Sequence, residues 1–275
     1  MIGVFDSGIG GLTVYQALRR ALPASERMLY LGDTARVPYG TKGDATVIRY
    51  AVEGARFLAR RGVRMLVVAC NTMSAVALPS LAGTVPGPVL GVIEPGVEAA
   101  CRATRGGAIG VIGTSATIKS GAYPAAIVRR LPGTRVLDRA CPLFVPLAEE
   151  GWTDNAVARA AAAEYLGDLP ERGLDTLVLG CTHYPLLRGV IAATVGPSVA
   201  LVDSAEETAR AARSLLDRRG GSGGAVADPL AAGPEAAGAD GDHFYVTDSS
   251  ERFREVGARF LGRELQRLEL VDLAQ

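Results

Sequence analysis

The chain reads as an α/β protein of two similar α/β domains with mostly parallel sheets, related by a pseudo-twofold, with the active site at the domain interface. Three observations predict this. Strands and helices alternate along the whole length, the pattern of parallel strands with helices on both faces. Two segments recur: Met65-Leu66-Val67-Val68-Ala69-Cys70-Asn71-Thr72 answers to Thr176-Leu177-Val178-Leu179-Gly180-Cys181-Thr182-His183, and the Met1–Gly8 stretch answers to Ala108–Ser115. Apolar runs look alike in any parallel sheet, but that does not explain why Cys70 and Cys181 fall at equivalent positions. The period is too long for a solenoid, so the repeat divides the chain into two domains.

The elements follow in order. After the first strand, Leu12, Tyr15, Leu18 and Leu22 mark one side of a helix. Met28 to Leu31 is a strand that runs into the loop Gly32–Gly40. Val47, Tyr50, Ala51, Gly54, Phe57 and Leu58 keep a helical period. The Cys70 strand and a strand from Pro88 to Ile93 complete the first copy. The second copy opens at Ala108, with an Ala-rich helix from Asp154 to Gly167 and the strand leading to Cys181. Val199 to Val202 is a short strand, and Ser204 with Glu207 has the spacing of a capping box. Gly220 to Gly241 is Gly, Ala, Pro and Asp with little periodicity, the composition of a surface loop or linker. His243 to Thr247 then predicts a strand and Ser250 to Leu261 a helix, a pair too small to fold alone. The expected division is residues 1–94 plus 209–275 for the first domain, 95–208 for the second, and 220–241 as an insertion.

With 275 residues and 48% hydrophobic composition, each half has enough chain to bury a core. Formal net charge is +0, which argues against a nucleic-acid stripe or a polybasic membrane surface. No apolar run is long enough to cross a bilayer. The chain opens on a strand without a basic flank or cleavable apolar region, and its four cysteines are too widely spaced for a disulfide framework. These features predict a cytoplasmic protein with reduced thiols.

Chemistry collects at the strand ends, where open α/β sheets place their sites. Asp6-Ser7-Gly8-Ile9-Gly10-Gly11 lacks the dinucleotide spacing and the P-loop lysine, yet its glycines let backbone N–H groups approach an anion. Asp6 follows a buried strand and must be paired, solvated or functional. Ser7, Asn71, Thr72, Thr182 and His183 are further polar groups at such ends. Cys70 and Cys181 have several readings: inert core, metal ligands, a redox pair, or acid/base thiols. Only two histidines and no C-x-x-C make a metal site a poor reading. Acid/base use, with Asp6 near Cys70 and His183 near Cys181 as proton carriers, accounts best for the pattern.

Four ordered motifs, Val4–Gly11, Gly32–Gly40, Ala69-Cys70-Asn71-Thr72 and Gly180-Cys181-Thr182-His183-Tyr184-Pro185-Leu186-Leu187, resemble those of the bacterial glutamate racemases. Weaker matches at Gly91–Pro95, Gly113–Thr117 and Cys141–Leu147 extend the resemblance over nearly the whole chain, Gly220 to Gly241 excepted. The resemblance implies cofactor-independent interconversion of L- and D-glutamate, feeding D-glutamate into peptidoglycan. It implies that Cys70 acts on D-glutamate and Cys181 on L-glutamate, helped by Asp6 and His183. Substrate contacts carry over to Asp6, Ser7, Tyr39, Gly40, Asn71, Thr72, Thr182 and His183. A further acid beside the second cysteine falls on Glu149 or Glu150, of which Glu149 is favoured. No cofactor, metal, membrane or nucleic acid is implied; the partner is glutamate, and family members are often homodimers.

One position departs from the pattern: Met73 stands where the family usually has Ala, to fill core space or to narrow access to Cys70. Three alternatives stay open at this point. A sister racemase acting on aspartate differs by one substrate methylene, a modest handle for discrimination. A binding or regulatory protein on the racemase fold would not need its thiols. A thiol redox protein would join Cys70 to Cys181.

Overall fold

The computed structural model describes residues 1–220 and 241–273; the expected linker lies, for residues 221–240, outside them. Two parallel sheets organise the chain. The first has six strands: β1 (Ile2–Asp6), β2 (Met28–Gly32), β3 (Met65–Val68), β4 (Val89–Gly91), β9 (His243–Val246) and β10 (Leu268–Leu270), in the order β10-β9-β2-β1-β3-β4. The second has four: β5 (Ala108–Gly113), β6 (Val136–Ala140), β7 (Leu174–Gly180) and β8 (Ala200–Asp203), in the order β6-β5-β7-β8.

The repeat read from sequence is a repeat of topology. The order β2-β1-β3-β4 recurs as β6-β5-β7-β8, and the register recurs with it. Ile2 pairs with Met65 and Phe5 with Val68; their counterparts Ile109 and Ile112 pair with Thr176 and Leu179. Cys70 and Cys181 therefore leave equivalent strands on equivalent sides of the first strand of each sheet. Such parallel pairs require a crossover between successive strands, which the intervening helices supply.

Alternation along the strands builds a core on each face. In the first sheet Ile2, Val4, Met65 and Val67 face α1 (Leu12–Ala21), α11 (Ser204–Gly220) and α12 (Ser250–Leu261), while Phe5, Leu66 and Val68 face α2 (Asp44–Arg60). The approach of α2 is close enough to require a glycine. A Cβ on Gly54 would stand 2.2 Å from the Phe5 ring. In the second sheet Ile112, Leu177 and Leu179 pack toward α8 (Phe144–Glu149), α9 (Ala156–Leu166) and α10 (Arg188–Val195). Ile109, Val111 and Val178 pack toward α5 (Ile93–Ala103) and α7 (Ala122–Arg130). Two short helices, α3 (Asn71–Val76) and α6 (Ser115–Lys119), follow β3 and β5 at the site, and α4 (Leu78–Leu81) follows α3. Among the described residues no helix is long and apolar enough to cross a membrane.

Three local expectations change. The strand expected from Pro88 to Ile93 is only Val89–Gly91, and Ile93 already opens α5. Glu94 and Pro95 suit a first helical turn, where a carboxylate meets the dipole and the missing proline N–H costs nothing. The capping box at Ser204 and Glu207 is replaced by Asp203, whose carboxylate accepts from the Ala205 N–H at 2.8 Å. Glu207 instead pairs with Arg102 and Arg210. The C-terminal strand and helix are joined by a third element, β10, which extends the sheet beside β9.

A buried ion pair secures the returning segment. Tyr15 and Arg19, one turn apart on α1, both reach Asp242 just before β9: Tyr15 donates at 2.8 Å and Arg19 Nη1 lies 3.1 Å from Oδ2. The Met28 N–H donates to Oδ1 at 2.8 Å. Asp242→Ala leaves the Arg19 charge in the core without its counter-ion, with only the carbonyls of Pro23 and Glu26 to accept from it, so it is expected to lower unfolding free energy by about 3–5 kcal/mol. Urea unfolding followed by circular dichroism measures it; a loss under about 1 kcal/mol, the scale of an exposed pair, would refute this role.

Candidate active site

Because every strand is parallel, each sheet presents all its carboxyl ends on one edge, and the two edges share a cavity of about 340 Å³. Ser7, Cys70, Asn71 and Thr72 line it from the first sheet. Thr114, Glu149, Cys181, Thr182 and His183 line it from the second.

On one side Cys70 is 6% exposed and caps α3, its sulfur accepting from the Met73 N–H at 3.5 Å. Burial, reinforced by the nearby Asp6 charge, pushes its thiol up to about 12, against the pull of the Ser7 hydroxyl and the Met73 N–H. At neutral pH Cys70 is thus a protonated thiol. Asp6 ends β1 with one carboxylate oxygen accepting from the Gly8 N–H at 2.9 Å. Burial also pushes Asp6 up, opposed by the His183 charge and the N–H groups of Gly8, Gly11 and Ser7. Met73 has its side chain wholly in the core beneath Cys70, away from the cavity.

The other side is a relay of three groups. His183 Nδ1 lies 3.8 Å from Cys181 Sγ and Nε2 lies 3.2 Å from Glu149 Oε1. Burial disfavours the imidazolium, yet Cys181 and Glu149 together push His183 up to about 10. The His183 hydrogen bond holds the Glu149 carboxyl below the ordinary range despite partial burial, with Arg252 contributing. Of the two acids left open by sequence, Glu149 makes this contact and Glu150 faces solvent. From α12, Phe260 sets its ring edge-on to His183 at 5.6 Å and Arg259 donates to the Glu149 carbonyl at 3.0 Å. Gly10 permits the close approach of the two halves here, since a Cβ on it would lie 2.2 Å from Thr182 Oγ1 and 2.5 Å from the His183 ring.

The remaining predicted residues divide. Asn71 and Thr72 are buried at the cavity wall. Thr72 Oγ1 meets Thr114 Oγ1 at 3.0 Å and Thr117 Oγ1 at 3.1 Å. Tyr39 and Gly40 line the mouth, but the Tyr39 hydroxyl turns away to Asp33, which also accepts from Thr247 at 2.9 Å. Tyr39 therefore offers the cavity its ring and backbone rather than its hydroxyl. Sequence reasoning did not single out Thr114 as a site residue, although the repeat carries the signal: Thr114 is the counterpart of Ser7. Among the described residues two buried side-chain atoms lack a hydrogen-bond partner, Asp6 Oδ1 and Asn71 Nδ2. A buried orphan is costly; of the two residues Asn71 lines the cavity, while Asp6 lies behind Ser7 and Gly8, which do. No group of three or more His, Cys, Asp or Glu among the described residues is placed to hold a metal ion.

Residues 2–212 match the Asp/Glu/Hydantoin racemase family. The chain belongs to this family. It is 54% identical to the glutamate racemase of Geobacter metallireducens over 99% of this chain and 96% of that one. Its fold superposes on glutamate racemase from Francisella tularensis in complex with D-glutamate with a TM-score of 0.86 at 38% identity, covering 99% of this chain and 97% of that one. The Thermus thermophilus glutamate racemase in complex with beta-chloro-D-alanine gives 0.84 at 46% identity and the same coverages. Within this racemase family member, the relay makes a testable statement about protonation. Glu149→Gln removes the carboxylate partner of the imidazolium, so the His183 pKa falls from about 10 toward its ordinary value. With only two histidines in the chain, ring-proton NMR reads this directly; an unmoved titration in Glu149→Gln would contradict the relay. The raised pKa has a sign for stability too. The His183 share of the pair is full below the unfolded value of 6.5 and is lost as pH climbs through about 10, while the Glu149 share, its pKa being lowered, is present above 4.5 and is lost on acidification.

Proposed function

We propose that this racemase interconverts L- and D-glutamate by two-base proton transfer, without a cofactor, and supplies D-glutamate for peptidoglycan. The observation that carries the reading is the presence of a buried thiol from each sheet on one cavity, one beside Asp6 and the other beside His183. The high identity to glutamate racemases along nearly the full length supports the choice of substrate.

In the L to D direction, Cys181 takes the α-proton and Cys70, protonated at rest, returns one to the opposite face. The electron pair of the broken C–H bond stays on the α-carbon and forms the new C–H bond. In the reverse direction the two sulfurs exchange roles. His183, held charged by Glu149, sets an N–H against the Cys181 sulfur, the partner that sulfur needs while it acts as the base. Asp6 acts in the opposite sense: its charge keeps the Cys70 thiol protonated, and its carboxylate takes that proton when Cys70 serves as the base. The α-carbon of an amino acid is a weak acid, so most of the barrier must be met by oriented donors in a site closed to water. Substrate contacts fall to Ser7, Gly40, Asn71, Thr72 and Thr182, whose hydroxyl, amide and backbone groups suit two carboxylates and an ammonium.

The test is α-proton exchange in deuterated water, starting separately from pure L- and pure D-glutamate with no cofactor added. Loss of the α-proton NMR signal with inversion from both enantiomers is expected. Cys70→Ser and Cys181→Ser should each lower kcat/KM by about 10²–10⁴-fold, the range of a lost general acid or base. Exchange with aspartate alone would reassign the substrate. Folded, reduced protein that exchanges neither would end the two-thiol mechanism.

A further inference from the structure

Asn71 has two chemically opposite ends of nearly equal size, an oxygen that only accepts and an NH₂ that only donates. Which end meets the substrate decides whether the residue attracts or repels a carboxylate. The Tyr123 hydroxyl lies 2.6 Å from Asn71 Oδ1. Tyr123 is carried on α7, in the half of the chain that also supplies Cys181, and its ring is packed among Val97, Ile127 and Val178 at 1% exposure. Burial raises its pKa, so the phenol stays neutral and keeps its proton. Since the amide oxygen cannot donate, the proton in this bond comes from tyrosine. The other end of the same amide, Nδ2, has no protein partner, and Asn71 lines the cavity.

We propose that Tyr123 is a positioning residue for the racemase reaction: its hydroxyl holds the Asn71 oxygen, so that the amide N–H groups face the substrate. The inference rests on the glutamate reading above, because the carboxylates are the acceptors that substrate offers to an N–H, its ammonium being a donor. Tyr123 itself touches no reacting atom. It belongs to the reaction only through Asn71, which comes from the opposite half of the chain. The neighbouring Thr72 is held from that same half by Thr114 and Thr117, so two adjacent cavity residues take their orientation across the interface.

The test is Tyr123→Phe, which keeps the ring and removes the hydroxyl. KM for both enantiomers should rise about tenfold, the equivalent of one lost hydrogen bond, with kcat within about threefold. In an Asn71→Ala background the same change should add nothing to KM, since the group it orients is already gone. A purely structural role predicts the opposite, additive losses in both backgrounds. Asn71→Asp gives an independent reading should Tyr123→Phe fold poorly. It keeps an oxygen for Tyr123 and sets a second oxygen where the N–H groups stood, so KM should exceed that of Asn71→Ala. Unchanged KM in Tyr123→Phe, additive losses, or an Asn71→Asp variant that binds as wild type would each overturn the proposal while leaving racemisation intact. Wild-type protein that exchanges no α-proton from glutamate would overturn the functional reading and this one with it.

Discussion

The hydrogen-bonded run from Cys181 through His183 to Glu149 lies at the carboxyl edge of the second sheet, and the site is built against it. A buried imidazolium is tolerated only beside compensating negative charge; Glu149 supplies it from α8, and the Cys181 sulfur lies against the ring from the end of β7. Bringing them together requires α8 to fold back over the carboxyl edge of its own sheet. The Arg252 and Arg259 contacts then tie Glu149 to α12, which belongs with the other sheet. The Asp6 carboxylate feels the same imidazolium, so the electrostatics of the two sides are joined rather than parallel.

Much of this was legible in the sequence because it rests on chain-local patterns. Apolar runs ending in cysteines, the alternation of strands and helices, and the recurrence of Met1–Gly8 at Ala108–Ser115 all depend on neighbouring residues. Even the register of β1 on β3 is implied by the repeat, since the same pairing recurs between β5 and β7. What stayed hidden was set by tertiary partners. Nothing near Tyr39 says that its hydroxyl will prefer Asp33 to the cavity. Asp203 displaced Ser204 as the cap because a carboxylate at the end of β8 already reached the first free N–H. Thr114 was visible only through its counterpart Ser7, a comparison that the cysteines alone do not suggest. The strand β10 is three residues at a sheet edge with only Leu268 partly buried, too short for an alternation signal.

The duplication is strict in backbone and loose in side chains. Asp6 on β1 has Gly113 as its counterpart on β5, and His183 after β7 has Thr72 after β3. Each cysteine thus has its titratable neighbour from a different place in the repeat: Asp6 on the strand beside that of Cys70, His183 two residues after Cys181. One neighbour is an acid, the other an imidazole held positive. The scaffold delivers two equivalent sulfurs, and the side chains around them make their surroundings unlike.

That unlikeness meets a limit outside the protein. Enantiomers have the same free energy in an achiral solvent, so the equilibrium constant between them is unity whatever the catalyst. The ratio kcat/KM must then be equal for the two directions. A thiol beside a carboxylate and a thiol beside an imidazolium will differ in how fast each half-reaction turns over and how long each hand of substrate is retained. Those differences are bound to cancel, so a faster direction is also the one with the proportionally weaker apparent affinity.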